Sequence, residues 1–519
     1  MSNPRALTTT RRVFGSLAAG ALCAWRAPPR RAQAEEAHTP QPFSFERLIE
    51  RARMEAEAPY APPPDPPPAV AQLSYEDLVQ IRFRPERAVW ADGDGYRLQF
   101  VHLGAYLRAP VRVFTVRDGL AEEVLYDPAM FDFGKVALEP QPPELGFGGL
   151  RVHYPLDGVD DAEPLLMFLG ASYFRARARG ARYGLAARGL ALGTGLGRPE
   201  EFPRFSNFWL ERPASAADPL MIHALLESPS VVGAYRFAVS VRDATLMDTE
   251  ASLFFRRDVE QVGVAPLTSM YFFGANDRSG VDDWRPAVHD SAMLSAWRGS
   301  GELVARPLVN PSELRLSVFT DEDPRGFGLL QRDRGFEAYR DLAARYELRP
   351  NLWVEPKGQW GAGSVRLIEI PTPDERNDNI VAFWTPEAPV AAGQELRMAY
   401  TLRWSLDEPI STGLALVRGT FIGAGASGEG CDGGIRHIVI DFGAFNVEGV
   451  PADAWPELVV ECSHSTCVAA ALQRHELTGG WRAILDVRPE ARDAVELRGL
   501  LTHAGRPVSE TWLYRLDRS

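Results

Sequence analysis

Between residues 82 and 389 apolar residues rarely recur with a helical period, and this constrains the fold more than any other feature. They alternate with polar neighbours instead: Tyr96, Leu98 and Phe100, more briefly Val111 and Val113, then residues 237–241, 314–318 and 365–370. The clearest helical pattern in this stretch is 335–346. Forty-five Gly and 41 Pro, spread along the chain, supply the turns that many short strands require. Some 300 residues of short strands without alternating helices predict a large antiparallel β-sandwich and argue against an α/β fold.

The small, Pro/Ala-rich stretch 386–393 reads as a hinge. After it, strand-like runs recur at 396–404, 437–442, 458–461, 481–487, 494–501 and 511–516, the length and spacing of an immunoglobulin-like sandwich. Before the large domain, Ser44 caps an expected short helix whose apolar face is Phe45, Leu48, Ile49 and Ala52. Residues 59–68 then form an extended Pro-rich strap, and Ser74 with Asp77 have the spacing of a capping box. The expected division is 1–34 signal, 35–81 helix and strap, 82–389 large β-sandwich, and 395–519 immunoglobulin-like domain.

Thr10-Arg11-Arg12-Val13-Phe14, a short apolar run and Ala32-Gln33-Ala34 make a twin-arginine export signal, cleaved after Ala34. The apolar run is too short to span a bilayer, which needs about 20 residues. Removing the signal leaves 50 Lys and Arg against 69 Asp and Glu, a net of −19. Such a surface disfavours nucleic acid and anionic membranes, so the expected product is periplasmic, without stable membrane insertion. Cys431, Cys462 and Cys467 then remain, enough for one bridge; Cys462 and Cys467 are close enough in sequence to close a small loop. Their spacing matches no zinc pattern, and neither a metal nor an organic cofactor is expected.

HExxH, Walker A and GxSxG are absent from the sequence. Gly423, Gly425 and Gly428 match GxGxxG only formally, because no βαβ unit surrounds them; the Gly-rich loop 418–434 reads as a surface loop or a lid. Carboxylates and aromatics carry the remaining chemistry. Residues 361–384 run a strand, break at Pro371 and Pro373, and then crowd Asp374, Glu375, Arg376, Asn377, Asp378 and Asn379 before the next strand. A solvated loop accounts for such a cluster, and so does a loop carrying acid–base chemistry. A second acidic position is Asp290, within Arg285-Pro286-Ala287-Val288-His289-Asp290-Ser291. Trp284, Trp297, Trp353, Trp360, Trp384 and Trp404 concentrate in this half of the chain, as residues that stack on sugars or fill cores do.

Several long runs together resemble the periplasmic glucan biosynthesis proteins G and D. These are Leu169-Gly170-Ala171-Ser172-Tyr173-Phe174-Arg175, Glu201-Phe202-Pro203-Arg204-Phe205, and Gly263-Val264-Ala265-Pro266-Leu267-Thr268-Ser269-Met270. Tyr183-Gly184-Leu185 through Arg188-Gly189-Leu190, His289-Asp290-Ser291, Gly326-Phe327-Gly328-Leu329-Leu330-Gln331-Arg332, Tyr346-Glu347-Leu348-Arg349-Pro350 and Ile370-Pro371-Thr372 through Asn377-Asp378-Asn379 complete the set. The twin-arginine signal is more like the D branch. The resemblance implies a galactose-mutarotase-like sandwich followed by an immunoglobulin-like domain, with β-1,2-glucan as the partner polymer. It implies an inverting endo-β-1,2-glucanase with Asp378 as general acid and Asp290 as general base. Glu375, Tyr346 and Arg349 are then expected at sugar hydroxyls, with Trp353 and Trp360 as stacking platforms. A transglycosylase that cyclises or branches the glucan, a non-catalytic glucan-binding factor, and a homodimer all stay open. The Gly-rich 418–434 loop departs most from the family.

Overall fold

Helix Phe45–Glu57 begins where Ser44 accepts a hydrogen bond from Arg47 N at 3.3 Å, and it buries Phe45, Leu48 and Ala52. Those side chains pack with Trp209, Leu225 and Val232 on the outer face of a large sheet. Residues 59–67 of the Pro-rich segment follow without regular structure, a one-turn helix spans Pro68–Ala71, and helix Tyr75–Gln80 starts at a complete capping box of Ser74 and Asp77. The computed structural model describes residues 39–516 apart from 93–94, 159–162, 216–217, 279, 426–433, 464 and 490–493. The twin-arginine segment, Cys431 and residues 426–433 of the Gly-rich stretch therefore lie outside the described residues, while residues 418–424, expected as loop, belong to strand Val417–Ala424.

The protein is mostly β, as the alternation predicts. One 16-stranded sheet runs through Thr245–Phe255, Glu395–Ser405, Asn351–Pro356, Gly326–Leu330, Met293–Trp297 and Leu303–Pro307 to Thr511–Leu516. A ten-stranded sheet contains Arg315–Glu322, Ala362–Glu369, Ile380–Pro386, Val262–Ser269 and Tyr173–Ala176. Inward-facing Phe168, Phe174, Phe205, Phe208 and Phe237 interlock between them, with ring centroids 4.9–6.0 Å apart. Each such ring contributes about 1.5–3 kcal/mol by leaving water. Among the described strands two pairings are parallel, Arg112–Arg117 with Arg204–Glu211 and Leu303–Pro307 with Thr511–Leu516, and an isolated parallel bridge joins Ala415 to Ser509.

All six strand runs expected after the hinge exist. The first, Glu395–Ser405, pairs with Thr245–Phe255 and Asn351–Pro356 inside the large sheet. Val417–Ala424, Arg436–Phe442, Gly480–Pro489 and Ser465–His475 form a separate four-stranded sheet. A second core of Trp481, Trp512, Ile438, Ile440 and Leu485 lies behind it. Residue 40 onward packs as one compact unit. Cys462 and Cys467 are both free thiols, so the small loop between them is not closed by a bridge. Among the described residues no helix is long and apolar enough to cross a membrane.

The helix expected at 335–346 does not form. Short 3-10 turns at Phe336–Ala338 and Tyr346–Leu348 replace it. Arg340 and Arg345 take positive φ, 58° and 47°, which ends any right-handed helix. Burial of Tyr339 and Tyr346 against Phe273 and Val288 pulls the chain inward and outweighs the local periodicity.

Candidate active site

Asp378 lies in the loop joining Ala362–Glu369 to Ile380–Pro386, an antiparallel pair whose register closes at Glu369 and Ile380. Asp290 comes from another layer. It follows the two-residue strand Val288–His289, which pairs with Tyr271–Phe273, and it precedes Met293–Trp297 of the large sheet. The two carboxylates thus sit on separate loops, near enough for the charge of Asp378 to act on Asp290.

Their surroundings differ. Asp378 keeps 24% of its side-chain surface exposed and accepts a hydrogen bond from Arg175 Nη2 at 3.1 Å. Asp290 is 6% exposed, with Arg349 Nε 3.5 Å from its Oδ1, an ionic contact too long for a good hydrogen bond. Burial raises the Asp290 carboxyl to about 6; Arg349 and Arg175 oppose the shift, while the charges of Asp378 and Glu375 add to it. His289 stacks on Tyr271 at 5.2 Å and meets Tyr339 edge-on at 5.3 Å. Burial pushes its imidazole down to about 4, so it is neutral near pH 7.

Three of the other expected residues join this site. Glu375 pairs with Arg285 Nη2 at 2.7 Å, and Arg285 also holds Asp283 at 2.8 Å and Asp341 at 3.1 Å. Arg285 therefore ties the loop bearing Asp378 to the segment leading into Asp290. Tyr346 is buried, with Arg349 over its ring at 5.4 Å. Its phenol is pushed well up by burial, and the charges of Glu375 and Asp290 add to this. Arg349 also donates to Tyr183 O, and Gln331 Nε2 binds both His289 O and Tyr346 O, at 2.9 and 3.2 Å.

Trp353 and Trp360 are not stacking platforms. Trp353 is 4% exposed and lies against Gly326 and Gly328, where an added Cβ would come within 2.4 and 2.8 Å of its ring. Trp360 is 8% exposed, packs on Trp384 and Tyr400, and donates from Nε1 to Ala399 O at 3.3 Å. Trp353 is buried within strand Asn351–Pro356, and Trp360, in the loop after that strand, folds back onto Trp384 and Tyr400. Trp284 is 70% exposed beside Arg285, and it offers the free aromatic face that they lack.

Arg175 and Arg285 were present in the quoted runs but not assigned roles. Nothing in sequence separates them from the other Lys and Arg; only the meeting of loops selects them. A cavity of about 240 Å³ behind the base loop is lined by Pro286, His289, Arg332, Tyr339, Arg418 and Phe421, so the four-stranded sheet reaches this region. Arg332 also binds the fully buried Glu510 at 2.7 Å and Glu408 at 3.2 Å. Among the described residues no cluster of His, Cys, Asp and Glu has the arrangement of a metal site.

Comparison with known proteins agrees with the resemblance. The family described as periplasmic glucan biosynthesis protein, MdoG, matches residues 43–516. Glucans biosynthesis protein D of Xanthomonas axonopodis pv. citri is 44% identical over 97% of this chain and 97% of its own length. The D protein of Xanthomonas campestris pv. campestris strain 8004 is 44% identical over 92% of this chain and 90% of its own. Glucans biosynthesis protein G of Rhodopseudomonas palustris is 43% identical over 97% and 99%, so overall identity barely separates the two branches. The chain belongs to the periplasmic glucan biosynthesis protein family.

Proposed function

We propose that the protein cleaves linear β-1,2-glucan in the periplasm as an inverting endo-glucanase, with Asp378 as general acid and Asp290 as general base. The observation that supports this most is a pair of carboxylates on separate loops, each with its own arginine and each within the other's field. Inversion requires a proton donor on one side of the scissile bond and a water-activating carboxylate on the other, roughly 6.5–9.5 Å apart or further with a relay. In this reading Arg175 orients Asp378 until the glycosidic oxygen takes its place. Arg349 keeps Asp290 ionised near neutral pH despite its burial. Tyr346 and Glu375 offer hydrogen bonds to sugar hydroxyls.

One observation favours a second assignment, with the roles exchanged. A general acid works best with a raised pKa, and the raised carboxyl is Asp290. The two assignments separate by experiment. Purified protein is incubated with linear β-1,2-glucan, and the released anomer and product lengths are followed beside D378N and D290N. Inverted short oligosaccharides, lost in both variants, support the glucanase. A synthetic substrate with a strongly acidic leaving group rescues whichever variant lacks the acid. Cyclic or rearranged products move the activity to transglycosylation, and glucan binding without turnover leaves a binding factor.

A further inference from the structure

Asn379 follows Asp378, is 2% exposed, and spends all its polar groups on backbone. Its N–H donates to Ser269 O at 3.0 Å, and its Oδ1 accepts from Tyr271 N at 2.8 Å. Its Nδ2 donates to Tyr271 O at 2.9 Å and to Ile370 O at 3.0 Å. The side chain thus closes the neck of the acid loop and grips residues 269–271 from one side.

The same three residues hold the base loop from the other side. Ser269 Oγ lies 2.8 Å from Ser291 Oγ, both fully buried. Met270 O accepts from Asp290 N at 2.8 Å. Tyr271 stacks on His289 and pairs with it in register. Residues 289, 290 and 291 are therefore each held by one of residues 271, 270 and 269. A side chain with three short bonds to backbone, on a residue whose own N–H makes a fourth, has almost no freedom, so it transmits position as a rigid part.

We propose that Asn379 is a positioning residue that places Asp378 and Asp290 in one rigid frame through residues 269–271. This rests on the two-carboxylate reading above. Asn379 touches neither substrate nor reacting atoms in this role; it holds the distance that separated acid and base require.

The test compares the wild-type full chain with N379A and the near-isosteric N379D. Hydrogen exchange read by mass spectrometry at peptides covering 286–292 is expected to speed up about tenfold at the Asp290 amide, the effect of weakening one hydrogen bond. With β-1,2-glucan, kcat is expected to fall on the order of 100-fold with KM nearly unchanged. The acidic limb of kcat/KM should also move to lower pH, because a loosened Asp290 gains water and its charged form is favoured. Arg349, Arg175, Asp378, Glu375 and Tyr346 face that carboxyl and are not substituted in these variants. N379D keeps the volume but sets a carboxylate against Tyr271 O and Ile370 O, so it moves the same readouts should N379A fold poorly. Unchanged exchange at Asp290, or reduced kcat with an unmoved pH limb, overturns the proposal, since lost stability alone only lowers the active fraction. A wild type without turnover removes the glucanase reading, while the exchange measurement still decides whether Asn379 couples the loops.

Discussion

The loop of Asp378 and the loop of Asp290 carry the same functional group into opposite environments. The first is polar, partly exposed and tethered by Arg175 and Arg285; the second is buried, stacked with aromatics and lightly countered by Arg349. The contrast teaches that the burial of the Asp290 carboxylate costs stability near neutral pH, whereas Asp378 is nearly neutral for the fold.

The sharpest way to break the contrast is by activity. On β-1,2-glucan D290N and D378N are each expected to lose roughly 10²–10⁴-fold in kcat, the range for a single acid–base group. A variant within tenfold of wild type removes that residue from the chemistry.

Stability separates the two carboxylates next. Because folding raises the Asp290 carboxyl to about 6, its contribution is favourable below the ordinary carboxylate range and is lost as pH rises through about 6. D290N should therefore be more stable than wild type at pH 8, by about 3 kcal/mol at most, and this gain should vanish near pH 4. D378N, which only frees a partly exposed pair, should stay within about 1 kcal/mol of wild type at both pH values. Urea melts at the two pH values check both; an unstabilised D290N at pH 8 contradicts the burial argument.

The arginines sharpen the comparison further. Arg349 lowers the Asp290 carboxyl, so R349M should move the acidic limb of kcat/KM to higher pH, as a pH–rate profile will show. An unmoved limb would mean that Arg349 does not act on Asp290 electrostatically. The smallest expected effect is that of R285M, which releases Glu375 and two further carboxylates. It should raise KM by about tenfold, the equivalent of one charge-assisted bond to the substrate loop, with kcat changed less. A titration of initial rates checks this, and a larger loss in kcat than in KM would place Arg285 closer to the chemistry.

The sequence by itself determined the β class, the strand runs after the hinge and several before it, the helix after Ser44 and the capping box at Ser74. Period, caps and turn residues are local properties that neighbours in the chain enforce. It also marked Asp290 and Asp378, through runs that resemble the family. Only the tertiary structure decided that 335–346 turns inward as two short turns, because the core's demand for Tyr339 and Tyr346 exceeds helical propensity. It alone decided that Trp353 and Trp360 are core, since whether a ring on a strand or in the loop after it is covered depends on what distant segments pack against it. The choice of Arg175, Arg285 and Arg349 as partners, and the burial that sets Asp290 apart from Asp378, were likewise decided by distant loops converging. Charge pairing and desolvation depend on distances across the fold, and chain order does not contain those distances.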